Sequence, residues 1–337
     1  MIDLVVAGGG PAGLATAIHA ARAGLEVVVI EQRAGPIDKA CGEGLMPHAV
    51  RQLDLLGAQP AGQKFRGVSY FDDKHCITAN FTSGAGLGVR RSTLHAALQR
   101  EAAEAGVPLV HAKVGAIVQD GESVAVNGIR ARYLAAADGL HSPIRAALGL
   151  QRRATGTRRW GIKRHIACAP WSDCVEVHWS HHTEAYVTPV ADDCVGIAIL
   201  TSQQGRFDHH LAAFPALRER VDGYAHHPDR AAGPLRQKVR GRVAGRVLLV
   251  GDSAGYVDAL TGEGLGIAFT AARLLVDSVV GDRPGDYERH WRRATLRYRF
   301  MTAAMLHAST SPLRSLVVPA ASSMPRVFTG MVNLLAD

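Results

Sequence analysis

Three observations predict an α/β fold in which a parallel sheet is interrupted by a mostly antiparallel one and followed by C-terminal helices. The chain opens as strand, glycine turn, helix, strand. Between about 155 and 200 the pattern changes to strands at regular spacing, and "GDSAGYVDALTGEGLG" at 251–266 then restores a strand-to-helix corner. With 337 residues, 47% of them hydrophobic, the chain is long enough for two cores.

In "MIDLVVAGGGPAGLATAIHAARAGLEVVVIEQR", Ile2, Leu4, Val5 and Val6 form a short apolar run. Leu14, Ala17, Ile18 and Ala21 then fall at helical spacing, Gly24 closes that helix, and Val27 to Ile30 make a second buried strand. Such a βαβ start implies a parallel sheet covered by helices. A turn-rich stretch, 32–47, leads to a helix near 47–57, two strand-like pieces, "FRGVSYF" and "HCITANF", and a helix over about 91–106. Residues 107–137 alternate short strands and turns and end in "YLAAADGLHSPIR". "RWGIKRHIA", "CVEVHWS", "EAYVTPV" and "CVGIAIL" predict the antiparallel sheet. The reading divides the chain into a discontinuous first domain (1–70, 90–150 and 240–280), a sheet domain (71–89 and 151–239) and C-terminal helices (281–337).

Composition removes several classes of function. No run approaches the roughly 18 apolar residues of a membrane span, and no basic region or cleavage site precedes the strand at Ile2, so no signal peptide is expected. Five dispersed cysteines without CxxC spacing point to a reducing cytoplasm and against a disulfide frame or a metal site. The excess of 38 basic over 30 acidic residues gives +8, but no nucleic-acid module accompanies it and no nucleic-acid partner is expected.

Gly8, Gly10 and Gly13 in "GGGPAG" have the spacing of a phosphate-binding turn, with Pro11 and Ala12 opening the helix behind it. Gly8 permits the turn, Gly10 lets a pyrophosphate approach the backbone, and Gly13 lets helix and strand pack closely. The phosphates would lie at the helix N-terminus, where free N–H groups and the dipole favour anions. Glu31, 18 residues beyond Gly13 at the end of the second strand, is placed to accept from a ribose diol. A dinucleotide with an unphosphorylated ribose, NAD or FAD, fits that acid.

The corner at 251 separates the two. A second phosphate fingerprint would give a nicotinamide its own domain, and none occurs. Instead Asp252 ends a buried strand, glycines including Gly262 and Gly264 give a flat ligand access to backbone, and Leu265, Phe269, Ala272 and Val276 continue as a helix. A helix N-terminus there favours the charge that develops on a reduced flavin, and Asp252 is placed to bind a ribityl chain.

"GGGPAG" with Glu31 and Arg33, "AAADGLHSPIR" at 135–145 and "GDSAGYVDALTGEG" at 251–264 together resemble the FAD-binding pattern of the geranylgeranyl reductases and of the aromatic hydroxylases of the p-hydroxybenzoate hydroxylase type. The resemblance spans roughly residues 1–270. It implies a Rossmann-like FAD-binding domain of the glutathione-reductase type carrying an inserted substrate sheet, with the flavin reduced by NAD(P)H from a transient site. It assigns Glu31 to the adenosine ribose, Arg33 to the adenine side with Gln32 among the cofactor contacts, Arg91 to the phosphates, Val114 to an adenine backbone contact, Asp138 to the middle motif, and Asp252 to the ribityl chain. The amides of Gly264 and Leu265 would face the flavin pyrimidine edge.

"KACGEGLMP", 39–47, is similar to the cysteine–glycine stretch that geranylgeranyl reductases hold near the isoalloxazine, which brings in Cys41 and Gly42. The resemblance therefore implies reduction of a C=C bond in a hydrophobic substrate, an isoprenoid, lipid or polyketide-like molecule. The alternative is a single-component hydroxylase of an aromatic or polyketide substrate, and behind it an electron-transfer flavoprotein. Two departures bear on the pocket: Gly255 stands where hydroxylases usually carry His, and Ala259 where both groups usually carry Pro. No residue pair declares itself the catalytic acid and base. Cys41 reads either as a thiol near the flavin or as a small buried hydrophobe, and Tyr186 as a substrate-orienting or a core tyrosine. The C-terminal segment mixes apolar pairs with Arg297, Arg299, Arg314 and Arg326, which fits a helical cap on the FAD domain or a peripheral contact with a membrane.

Overall fold

The computed structural model describes residues 1–337. Its first sheet runs in the order Val243–Ala244, Val247–Leu249, Ile129–Ala136, Ile2–Ala7, Val27–Glu31, Leu109–His111. From Val247–Leu249 to Leu109–His111 every neighbouring pair is parallel. Val5, Leu134 and Val28 lie side by side in register, and all are buried. Strands covered on both faces have no use for polar alternation, which is why these read as continuous apolar runs. Ile117–Gln119 and Val124–Val126 branch off Ile129–Ala136 as an antiparallel meander.

The second sheet runs Arg230–Ala232, Trp160–Ile166, Cys194–Thr201, Thr183–Ala191, Val175–Trp179, Gly67–Phe71, Cys76–Asn80. Only Val175–Trp179 against Gly67–Phe71 is parallel. The boundary drawn between residues 70 and 71 is therefore corrected: it would cut the strand Gly67–Phe71, which belongs wholly to the second sheet. Gly86–Gly88, placed with the sheet domain from sequence, instead joins Gly44–Leu45 and Gln63–Phe65 in a small separate sheet. Two short helices, Phe207–Leu211 and Pro215–Val221, escape the sequence reading and cover one face of the second sheet.

That sheet positions the site through its alternation. Along Thr183–Ala191, Ala185 and Val187 point to the core under the short helices, while Glu184, Tyr186 and Thr188 point the other way, toward loops of the first sheet. Lys163 and His165 do the same from Trp160–Ile166.

The C-terminal helices do not simply cap the first domain. Tyr287 and Trp291 of Pro284–Ser309 pack into the first core, whereas Phe328 and Val332 of Pro325–Ala336 pack on the second with Tyr70 and Trp179. Arg314 ties the segment down, donating to the carbonyls of Ser180 and Thr183 and to Glu184. No helix is long and apolar enough to cross a membrane.

Candidate functional site

The three separated motifs meet at the C-terminal ends of the parallel strands. Gly8 stands at φ 112°, and a Cβ there would lie 2.5 Å from the carbonyl oxygen of Ala137, in the middle motif. A Cβ on Gly251 would lie 2.7 Å from that of Ala12, so the third motif touches the first. Arg145 closes the triangle. Only 1% exposed, it donates to the carbonyls of Asp252 and Ser253 at 3.3 and 3.1 Å, to Leu140 and Gln237 at 2.9 Å, and to Gln151. This arginine lies in the quoted "SPIR" but received no role from sequence, because its partners are backbone carbonyls that only the fold assembles.

The amides at the cleft are unspent. Neither Ala12 nor Gly13, nor any of Gly264, Leu265 and Gly266, donates its N–H to a protein acceptor. A Cβ at Gly10 would meet nothing within 4 Å, so the backbone there is open to a ligand, and the same holds at the exposed turn residue Gly262. Two N-terminal helix ends with open backbone present two anion-favouring positions, as an FAD pyrophosphate and a flavin pyrimidine edge require.

The side chains complete the fit. Arg91 opens the Arg91–Glu104 helix, and its Nε is buried without a partner. One turn on, His95 contacts the carbonyl of Gly9 through Nε2 at 2.8 Å, a residue the sequence reading missed; burial first, and Arg91 after it, hold its imidazole below the ordinary range. Asp252 has no side-chain hydrogen bond. Burial pushes its carboxyl upward while Arg91, Lys39 and Arg145 pull it back. Lys39 lies within range of Arg91, Asp252 and Glu31, and a Cβ at Gly139 would sit 3.6 Å from its Nζ. Asp138 accepts from the N–H of Ile144 through Oδ2 at 3.0 Å, and its buried Oδ1 is unpartnered. These orphaned polar groups along one cleft fit an extended FAD.

Several assigned residues have prior duties. Glu31 accepts from the N–H groups of Gly9 and Arg33, each at 2.9 Å, one on each carboxylate oxygen, and so also braces the glycine turn. The side chains of Gln32 and Arg33 lie exposed beside it. Val114 lies three residues beyond His111, which pairs with Glu31, at the same end of the sheet. Gly42 is held by its carbonyl, which accepts from Thr188 at 2.9 Å. Tyr186 donates its hydroxyl hydrogen to the carbonyl of Leu260 at 3.0 Å, so the proton it offers is committed to the 256–262 loop. Tyr256, unassigned from sequence, sets its ring beside Gly264, where a Cβ would come within 3.3 Å of it, and lies within electrostatic range of Asp252 and Cys41.

Glu43 is a further residue the sequence reading passed over, though it sits inside "CGEG". It stands at φ 62°, is 3% exposed, and takes the N–H of Arg91 at 2.7 Å, Lys163 at 2.9 Å and His165 at 2.6 Å. A strained non-glycine residue over-determined by three donors fixes the turn that carries Cys41. Burial is the largest influence on its carboxyl, yet the three donors win and hold it below the ordinary range. Burial also raises the Cys41 thiol, which therefore stays protonated; Arg91 opposes that shift without reversing it.

Glu263, at the start of the Gly264–Val280 helix, is 2% exposed and neither carboxylate oxygen has a partner. Burial pushes it up to about 8, with only Arg297 pulling back. A carboxyl raised in the folded state from an ordinary 4.5 is neutral there while the unfolded chain ionises, so folding loses about 1.4 kcal/mol per pH unit from this group between those values. Glu263→Gln should therefore melt near wild type at pH 5 and increasingly above it toward pH 8. Parallel melting curves for the two proteins across that range would refute the assignment.

Comparison with known proteins agrees with this geometry. The FAD binding domain family model matches residues 89–279, more than half of the chain, and the lycopene cyclase protein model matches residues 3–159. The menaquinone reductase of Mycobacterium tuberculosis is 27% identical over 309 residues, 82% of this chain and 76% of that one. Digeranylgeranylglycerophospholipid reductase 1 of Methanothermobacter thermautotrophicus is 26% identical over 86% of this chain and 81% of its own. A 3-(3-hydroxy-phenyl)propionate/3-hydroxycinnamic acid hydroxylase of Mycobacterium is 25% identical over 84% of this chain and 55% of its own. A flavoprotein/dehydrogenase from Cytophaga hutchinsonii superposes with a TM-score of 0.85 over 99% of this chain and 92% of that one, at 18% identity. With its three motifs joined at the C-terminal ends of the parallel strands, the chain belongs to the FAD-binding-domain family and is an FAD-dependent oxidoreductase.

Proposed function

We propose that the protein reduces a carbon–carbon double bond in an isoprenoid or other lipid-like substrate, with FAD of the Rossmann-like, glutathione-reductase type of site recharged by NAD(P)H. The observation that carries this reading is Cys41: a protonated thiol held at the cleft by the Glu43 turn, beside Arg91 and Tyr256. Reduction across C=C needs one hydride and one proton, and bound FAD, once reduced, supplies the hydride. In this reading Cys41 gives the proton and regains it from solvent. Arg91 and the Ala12 and Gly13 amides would hold the pyrophosphate, Asp252 the ribityl chain, and the Gly264 and Leu265 amides the flavin edge. The two reductase relatives align over 76% and 81% of their length, the hydroxylase over 55%, which supports the same choice.

The test is anaerobic. Protein reduced with NADPH is mixed with an unsaturated isoprenoid lipid, and reoxidation of the flavin is followed by its colour. Reoxidation with saturation of the lipid, slowed at least roughly tenfold by Cys41→Ala with flavin retained, is the expected result. Oxygen uptake stimulated by a phenolic compound, with no anaerobic reoxidation by lipid, would favour the hydroxylase instead.

A further inference from the structure

The C-terminal segment leaves an apolar surface uncovered. Eight of the thirteen large apolar side chains that stand exposed fall between Leu296 and Leu334. On Pro284–Ser309, Arg293, Leu296, Phe300 and His307 follow at helical spacing along the outer face, with Phe300 71% exposed. On Pro325–Ala336 the outward side chains are Val327, Met331 and Leu334, although the inward face is already apolar through Phe328 and Val332. A helix apolar on both sides expects a cover on both. The two helices adjoin, since Tyr298 and Met301 of one pack with Leu335 of the other.

Charge says what the cover is. Residues 289–336 contain seven arginines and no aspartate, glutamate or lysine. Arg314 is spent on Glu184, and Arg289 and Arg292 pair with Asp286 and Glu288. Arg297 turns toward the Tyr298 hydroxyl and the buried Glu263, and Arg299 lies over the Trp291 ring, which leaves Arg293 and Arg326 exposed without a carboxylate partner. A second copy of this chain would bring the same unpaired arginines against one another, which disfavours self-association through this face. A surface with negative headgroups above an apolar interior satisfies both features at once.

We infer that this corner docks on the surface of an anionic lipid bilayer, with Phe300, Leu296 and Val327 entering the acyl boundary and the unpaired arginines facing the headgroups. A cavity of about 390 Å³ lies on the same long helix, lined by Ala303, Leu306 and His307 with Arg236 opposite, so docking would bring its mouth close to the bilayer. The docking inference rests on surface residues and does not require the reductase reading.

The test is co-sedimentation of the flavin-loaded protein with two vesicle types, phosphatidylcholine alone and phosphatidylcholine mixed with phosphatidylglycerol. Binding to the mixed vesicles, weak binding to the neutral ones and partial release by salt are expected. The double variant Leu296→Ser, Phe300→Ser should lose roughly tenfold or more in vesicle affinity. Arg293→Glu with Arg326→Glu should abolish the preference for anionic lipid. Each variant should keep its flavin colour, because the altered side chains already stand in solvent, and this separates lost docking from a lost active site. Three results would overturn the inference: no pelleting of wild type with mixed vesicles, unchanged pelleting of the apolar variant, or a wild-type dimer that this variant converts to monomer.

Discussion

Gly10→Val is expected to fold like wild type and to purify colourless, whereas Gly13→Val should not yield folded protein at all. The two residues lie three apart in one turn and differ only in what surrounds them. A Cβ at Gly10 meets no protein atom within 4 Å, and a valine there would enter the space proposed for the pyrophosphate. It would push that group away from the free amides of Ala12 and Gly13, each worth about 1.5–3 kcal/mol to an anion. FAD affinity should fall roughly 100-fold or more, with thermal stability of the flavin-free protein within a few degrees of flavin-free wild type. At Gly13 a Cβ would sit 1.9 Å from the carbonyl oxygen of Gly8. Backbone cannot yield by that much without separating helix from strand, and the loss should exceed about 4 kcal/mol. Circular dichroism and the visible spectrum of both variants check the pair; a yellow Gly10→Val protein with undiminished flavin affinity would place the cofactor elsewhere.

Arg145→Met is the second large effect, and it acts through the fold. Methionine fills most of the volume but leaves the carbonyls of Leu140, Asp252 and Ser253 and the side chains of Gln151 and Gln237 without their donor. Buried acceptors stripped of a charged donor make a loss of about 3–5 kcal/mol the expectation. Arg145→Lys should recover little of it, because a single ammonium cannot reproduce a planar fork of five donors. The middle and third motifs would part, and Asp252 would lose its placement, so what folded protein remains should bind FAD weakly. Denaturant unfolding of both variants without cofactor, followed by flavin titration, separates the two consequences. A lysine variant as stable as wild type would show that the guanidinium network does not bear the structure.

How much of the site was legible follows from how local each signal is. The glycine turn, Glu31 and Asp252 could be read because each lies at a strand end whose position is set by a few neighbouring residues. Arg91 was reached through resemblance, and its duty became physical only when its buried Nε was found without a partner beside Asp252 and Lys39. Glu43, Arg145, His95 and Tyr256 were passed over. Their partners lie 122, 108 and 86 residues away for the first three, and the last sets its ring beside Gly264. One available signal was a charged residue inside each quoted motif, Glu43 in "CGEG" and Arg145 in "SPIR". The misplaced boundary at residue 70 has a related cause: the parallel partner of Gly67–Phe71 is Val175–Trp179, more than a hundred residues on.

By itself, the sequence determined the parallel sheet, the change to an antiparallel one and the glycine turns that leave backbone amides free, because hydrophobic period and the absence of a Cβ are local properties. Tertiary structure alone decided which charged groups are spent and which remain for a ligand. Glu31 is engaged by the N–H groups of Gly9 and Arg33, Tyr186 is committed to Leu260, and Arg91 and Asp252 stay uncommitted. The reason is that hydrogen bonds and ion pairs are satisfied in space, after the strands have set the register, by residues that have no relation along the chain.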